Sequence, residues 1–243
     1  MKKPLLLSRY FSLSPRERAG VRARAPTLFF AAACFLTGCG NTPPTPDWQL
    51  NTQGAAERAV AAYLSGNSKV EALEFDKARA EAARTGQPTQ VARIDLLRCA
   101  TRVAALVLEP CAAYEKLRAD TTSADKAYAD YLAGQLGPAD VALLPPVQRP
   151  AATAGLALQS EQAAAALTAI ADPLSRLVAA GVLFKGGLAS PQVIATAVDT
   201  ASRQGWRRPL LAWLNVQLQR AQRAGAADEV ARIQRQIGLV QGP

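Results

Sequence analysis

No histidine occurs anywhere in the 243 residues. That absence removes Ser-His-Asp and Cys-His catalysis and every His-ligated metal site, because each needs an imidazole as base or ligand. Chemistry built on carboxylates alone or on lysine stays open, so the acids, serines and lysines are the residues to weigh. Glu71 with Glu74, and Asp125 with Asp130, stand at close helical spacings with Lys or Arg nearby, the pattern of a solvated, charge-paired helix face. Ser175 and Ser190 fall at or near helix starts, where a hydroxyl caps free amides. Lys185-Gly186-Gly187 lacks the preceding strand and the full spacing of a phosphate loop. The cysteines are Cys34, Cys39, Cys99 and Cys111, and no C-x-x-C spacing points to redox or metal chemistry. The expectation is a protein that is not an enzyme, with no catalytic residue, metal or cofactor. Trp206, Arg207 and Arg208 form the remaining cluster. Between 203 and 235 seven arginines are set against only Asp228 and Glu229. A basic, aromatic helix end suits anionic head groups or an acidic partner, which makes these three a candidate partner surface. The competing reading, which we prefer, puts Trp206 and Trp213 in the core, with arginine stems covering apolar surface around them.

Cys39 has a specific context. Arg22 and Arg24 precede an apolar run at 28–36, and Leu36-Thr37-Gly38-Cys39 closes it. A basic start, an apolar core of about seven to fifteen residues and small residues at the cut make a secretory signal. The run is shorter than the roughly 20 residues a helix needs to span a bilayer, so a stop-transfer helix is the weaker reading. The four residues resemble the lipobox of bacterial lipoproteins. That resemblance covers the leader only. It implies that 1–38 is removed as a signal peptide, that Cys39 receives lipid with acyl chains such as palmitate, and that this lipid anchors the protein. Residue 40 is Gly rather than Asp, which in enteric bacteria resembles an inner-membrane retention signal, so the implied location is the periplasmic face of the outer membrane. Residues 1–20 fit the leader poorly. Leu5 to Leu7 is too short for a signal core and 14–18 reads as a loop, so we expect the true start to lie later, at Val21 if its codon is an alternative initiator.

Removing the leader changes the charge argument. It holds seven of the 28 basic residues and one of the 19 acids, so the net charge falls from +9 to +3. The high isoelectric point belongs largely to the leader and makes no case for nucleic acid. Cys34 leaves with the leader and Cys39 is consumed by lipid. Cys99 and Cys111 remain, a pair expected to form a disulfide in an oxidising compartment. Geometry sets a condition on it. Twelve residues of unbroken helix would hold the two Cα atoms about 18 Å apart, against the ~7 Å a disulfide allows. The chain must therefore break, as Pro110 favours, and fold back. The alternative is two inert thiols on separate helices.

The prolines at 43, 44 and 46 make 39–47 a stiff, lipidated tether. From Trp48 the chain reads as helical almost throughout, rich in Ala, Leu, Gln, Glu and Arg and without period-two alternation. Helices are predicted at 50–64, stopped by Ser65-Gly66, and from a capping box at Ser68-Lys69-Val70-Glu71 to Gly86. A strongly apolar helix follows Pro88, then a short one at 111–117 and one at 123–133. Prolines 138, 145, 146 and 150 interrupt the pattern, and 144–150 is taken as a hinge between two units, or else a rigid loop within one. Further helices are predicted at 159–171, after Asp172-Pro173, after Ser190-Pro191, and as a closing pair at 208–224 and 227–239.

Tyr63 to Ala82 and the closing pair loosely resemble the tetratricopeptide-like repeats of helical-repeat lipoproteins, although no fixed period recurs. The resemblance implies a concave surface for proteins or peptides, against an irregular bundle whose aromatics are core. The expected fold is all-α: antiparallel helix hairpins packed as an irregular bundle or short α-solenoid, with an N-terminal unit at 48–144 and a C-terminal unit at 151–243. The expected role is a non-catalytic scaffold or adaptor for envelope proteins, held to the membrane through Cys39. The alternatives are an envelope-processing enzyme or its direct regulator, and a carrier of lipid or lipopolysaccharide. An enzyme calls for a polar pocket with perturbed acids, an adaptor for an exposed apolar groove, and a carrier for an enclosed apolar cavity.

Overall fold

The computed structural model describes residues 44–242. The chain divides into Met1–Thr45 and Pro46–Pro243. Of the first part only Pro44 and Thr45 are described, exposed and outside any helix. The signal peptide 1–38, Cys39 and most of the tether lie outside the described residues. The second part is one compact unit.

That unit is all-α, with no strand among the described residues. Its helices are α1 Asp47–Ser65, α2 Ser68–Ala83, α3 Pro88–Ala104, α4 Ala112–Glu115, α5 Ser123–Ala133, α6 Arg149–Leu156, α7 Ser160–Ala169, α8 Pro173–Lys185, α9 Pro191–Gln204, α10 Arg207–Arg223 and α11 Ala227–Gln241, with 3-10 turns at Arg118–Asp120 and Pro138–Leu143. Consecutive helices pack as hairpins: α1 with α2, α6 with α7, α9 with α10, and α10 with α11. α1 and α2 pack together, and among their wholly buried residues are Ala55, Ala59, Ala78 and Ala82, small side chains of the kind that allow close approach. Gly66 turns the chain between them at φ 97°, a left-handed value that carries no Cβ penalty in glycine.

Capping chemistry explains most boundaries. Asp172 and Ser190 accept hydrogen bonds from the amides of Ser175 (2.8 Å) and Val193 (3.3 Å), as expected of an N-cap before Pro. The start of α2 corrects the sequence reading. Asn67, not Ser68, is the cap, accepting from the Val70 amide at 3.1 Å. Glu71 turns inward to Arg98 instead of back to the helix end. A reciprocal box occurs instead at Thr122 and Asp125.

The proline-rich segment 144–150 lies inside the compact unit. Leu144 and Gln148 are buried. Gln148 accepts from the Tyr131 hydroxyl (2.9 Å) and donates to the Ser175 carbonyl (3.0 Å), so it ties α5 to α8. Pro150 stands in the first turn of α6, where its missing amide costs nothing. α6 itself, from Arg149 to Leu156, is a helix the sequence reading did not predict.

α8 is the central element. It packs on α3 and α9, and Leu174, Leu177, Val178, Ala179, Ala180, Gly181 and Leu183 are all buried. Gly181 sits so close to α3 that a Cβ there would fall 2.3 Å from the Val103 carbonyl oxygen. Beside it the Trp213 indole, wholly buried, donates to the Ala104 carbonyl at 3.1 Å. That bond supplies a partner for one of the last carbonyls of α3, which has none within its own helix. Phe184 meets the same indole edge-on, with ring centroids 5.8 Å apart.

Candidate functional site

The acids expected on solvated faces divide into two kinds. Glu74 and Asp130 pair with Arg58 and Arg118, each at 2.8 Å, and the Arg58 hydrogen bond holds the Glu74 carboxyl below its ordinary range. Glu71 and Asp125, by contrast, are buried, which overturns the surface reading. Their cations come from α3: Arg98 reaches Glu71 at 2.8 Å and Arg93 reaches Asp125 at 3.1 Å. Asp95 on the same helix pairs with Arg79 of α2 at 3.2 Å, and burial raises its carboxyl above the usual value against the pull of Arg79. These pairs clamp α3 to its neighbours. A buried carboxylate with a guanidinium partner satisfies a structural need, and none of these acids lines the apolar groove described below. Among the described residues no three acid or cysteine side chains cluster as a metal would require.

The other singled-out residues also resolve into structure. Ser190 caps α9, and Lys185-Gly186-Gly187 is the end of α8, with the Gly187 amide bonded to the Phe184 carbonyl at 3.0 Å. Cys99 and Cys111 stand at disulfide distance, their Cα atoms 5.9 Å apart. The fold-back that this requires begins at Leu106, left-handed at φ 60°. The Leu106 amide bonds the Val103 carbonyl and the Val107 amide bonds the Arg102 carbonyl, each at 3.0 Å. This is a Schellman ending built on leucine, where glycine is the usual residue.

Trp206, Arg207 and Arg208 follow one another at the start of α10, and Arg208 is tied back onto the fold. Arg208 donates to the Tyr63 carbonyl (2.8 Å) and the Ser68 hydroxyl (2.7 Å), and its guanidinium lies 4.3 Å from the Tyr63 ring centroid. It bolts α10 to the α1–α2 turn. Arg207 is exposed and donates to the Gln241 carbonyl. Trp206 is half-buried, while Trp213, seven residues on, is core.

The feature the residue types did not foreshadow is an apolar groove of about 230 Å³ between the end of α5, α6 and the end of α8. Its floor is Ala151, Ala152 and Leu183, and its walls include Leu136, Val182 and Leu188. Tyr131 lines it too, but its hydroxyl is committed to Gln148, and burial pushes its ionisation well above the ordinary range. The helix ends shape the opening. α6 stops after two turns because Leu158 adopts φ 55° as its left-handed cap, with the Gln159 amide returning to the Ala154 carbonyl at 2.9 Å. Holding a leucine in this region costs on the order of 1–2 kcal/mol. Its effect is to leave Leu158 73% exposed at the groove's edge, beside Leu156 at 42%. The sequence held one signal for this. Leu156 and Leu158 are apolar positions beside a proline-rich stretch that no predicted helix absorbed.

No family model, curated protein or solved structure matches the chain. Among the described residues no helix is long and apolar enough to cross a membrane.

Proposed function

We propose that the protein is a lipid-anchored, non-catalytic helical adaptor that holds another envelope protein through the groove between α6 and α8. The observation that carries this reading is the groove itself: open, apolar and edged by two exposed leucines. Exposed apolar surface with a concave centre is what a docking site needs, and its lining presents no acid, base or nucleophile free to react. Its half-open form and small volume suit docked side chains better than an enclosed lipid. The anchor rests on the leader: the basic start, the apolar run and Leu36-Thr37-Gly38-Cys39 would place the acylated Cys39 in the outer membrane's periplasmic leaflet. A Cys99–Cys111 pair at disulfide distance accords with an oxidising compartment.

Two measurements test it. Metabolic acyl labelling of the full chain should tag the protein, and Cys39→Ala should abolish the tag. An untagged wild-type protein refutes the anchor. A photo-crosslinking residue at Leu158, in cells, should yield one reproducible adduct that a crosslinker at the remote exposed Arg84 does not; identical adducts from both positions refute the groove as the docking site.

A further inference from the structure

The groove also carries information about the chemistry of its occupant. Lys185, the last residue of α8, is exposed, and its aliphatic stem runs over Gly134, one of the lining residues: a Cβ on that glycine would meet the lysine Cδ at 3.5 Å, Cγ at 3.7 Å and Cε at 3.9 Å. The stem therefore lies against the groove at Gly134, and a lysine stem laid on apolar surface leaves its ammonium to solvent. Lys185 forms no ion pair among the described residues. Volume narrows the occupant further. About 230 Å³ falls below the ~300–1,000 Å³ of sites that enclose a whole small molecule. The space suits one aromatic or two aliphatic side chains. Leu156 and Leu158, exposed at the groove's edge, add an apolar shelf on which the rest of a peptide segment would lie.

We propose that the groove binds an acidic, apolar peptide segment of the partner, one or two of its apolar side chains filling the cavity while a neighbouring carboxylate meets Lys185. This inference rests on the adaptor reading and adds the charge of the partner to it. A rim charge of this kind sets specificity and register more than affinity.

A random dodecapeptide library selected on the immobilised full chain tests it, with Lys185→Glu and Leu158→Asp chains selected in parallel. Both positions are exposed, so both variants keep the fold; circular dichroism checks this. Expected on the wild type is enrichment of peptides with paired apolar residues and an adjacent Asp or Glu. Their affinity should fall roughly three- to tenfold on Lys185→Glu, the range for exchanging a rim attraction for a repulsion. Selection on Lys185→Glu should enrich Lys or Arg at the same peptide position, and Leu158→Asp should lose the peptides altogether. Apolar peptides that need Leu158 but ignore the charge at 185 would overturn the acidic partner and leave the adaptor reading standing. Peptides indifferent to both substitutions would overturn both. Saturable binding of dodecanoate, lost in Leu158→Asp and obtained without any enriched peptide, would overturn the proposal in favour of a lipid ligand.

Discussion

Replacing Gly181 by alanine isolates the contact on which the centre of the fold depends. In most helix interiors the change is stabilising, by about 0.5–1 kcal/mol, since alanine loses less backbone entropy than glycine. Here the added methyl would stand 2.3 Å from the Val103 carbonyl oxygen, 2.8 Å from Val103 Cγ1 and 3.0 Å from the Val103 carbonyl carbon. Backbone atoms cannot rotate away, so α8 must move by about 1 Å before ordinary van der Waals contact at 3.4 Å or more is restored. Overpacking of this sort costs typically about 1–3 kcal/mol. The displacement also disturbs the adjoining indole bond from Trp213 to Ala104, so the upper half of the range applies. Set against the propensity gain, Gly181→Ala is expected to destabilise by about 1–2 kcal/mol. Gly238 in α11 supplies the control. It is exposed, and a Cβ there meets nothing within 4 Å, so Gly238→Ala should stabilise by up to about 1 kcal/mol. Urea unfolding of the full chains, followed by circular dichroism, reads both as shifts of midpoint at constant slope. If Gly181→Ala proves as stable as the wild type while Gly238→Ala behaves as expected, the close approach of α8 to α3 is wrong.

Three further variants probe other parts of the same reasoning. Trp213→Phe keeps most of the apolar bulk but leaves the Ala104 carbonyl without its donor, and should cost about 1–3 kcal/mol by the same unfolding assay. Asp95→Asn removes a carboxyl that burial holds above its ordinary 3.8. A folded-state pKa raised above the unfolded value means the native state binds the proton more tightly. Wild-type stability therefore declines as pH rises from about 3.8 through the folded-state pKa. The advantage of Asp95→Asn over wild type should grow across that window and then level off; a difference independent of pH contradicts the assignment. Cys99→Ser with Cys111→Ser opens a loop of sequence separation 12 and should lower stability by about 3 kcal/mol relative to the oxidised wild type, with no difference once both are reduced.

The legible parts of this protein are those written within a few residues of one another. Asp172-Pro173, Ser190-Pro191 and Ser65-Gly66 mark helix ends because capping is satisfied by the neighbouring backbone. The same locality misled where two caps compete: Asn67 and Ser68 both suit the start of α2, and the inward pull of Arg98 on Glu71 decides for Asn67. α6 escaped because its prolines read as breakers, whereas Pro150 occupies a first-turn position that tolerates it. Buried Glu71 and Asp125 read as surface acids because their cations lie 27 and 32 residues away, on another helix.

Residue types and their short-range spacing thus suffice for an all-helical chain, for its hairpins, and for the absence of imidazole chemistry. They also mark Leu36-Thr37-Gly38-Cys39 as the feature on which the proposed membrane anchor depends. Contacts through space decide the rest. Arg208 is spent on Tyr63 and Ser68, 145 and 140 residues away, and Gly181 is required by a carbonyl on α3. The groove exists only because α5, α6 and α8 end beside one another. Capping and amphipathicity act over one or two helical turns, but a cavity is the space between elements, and no run of neighbouring residues contains it.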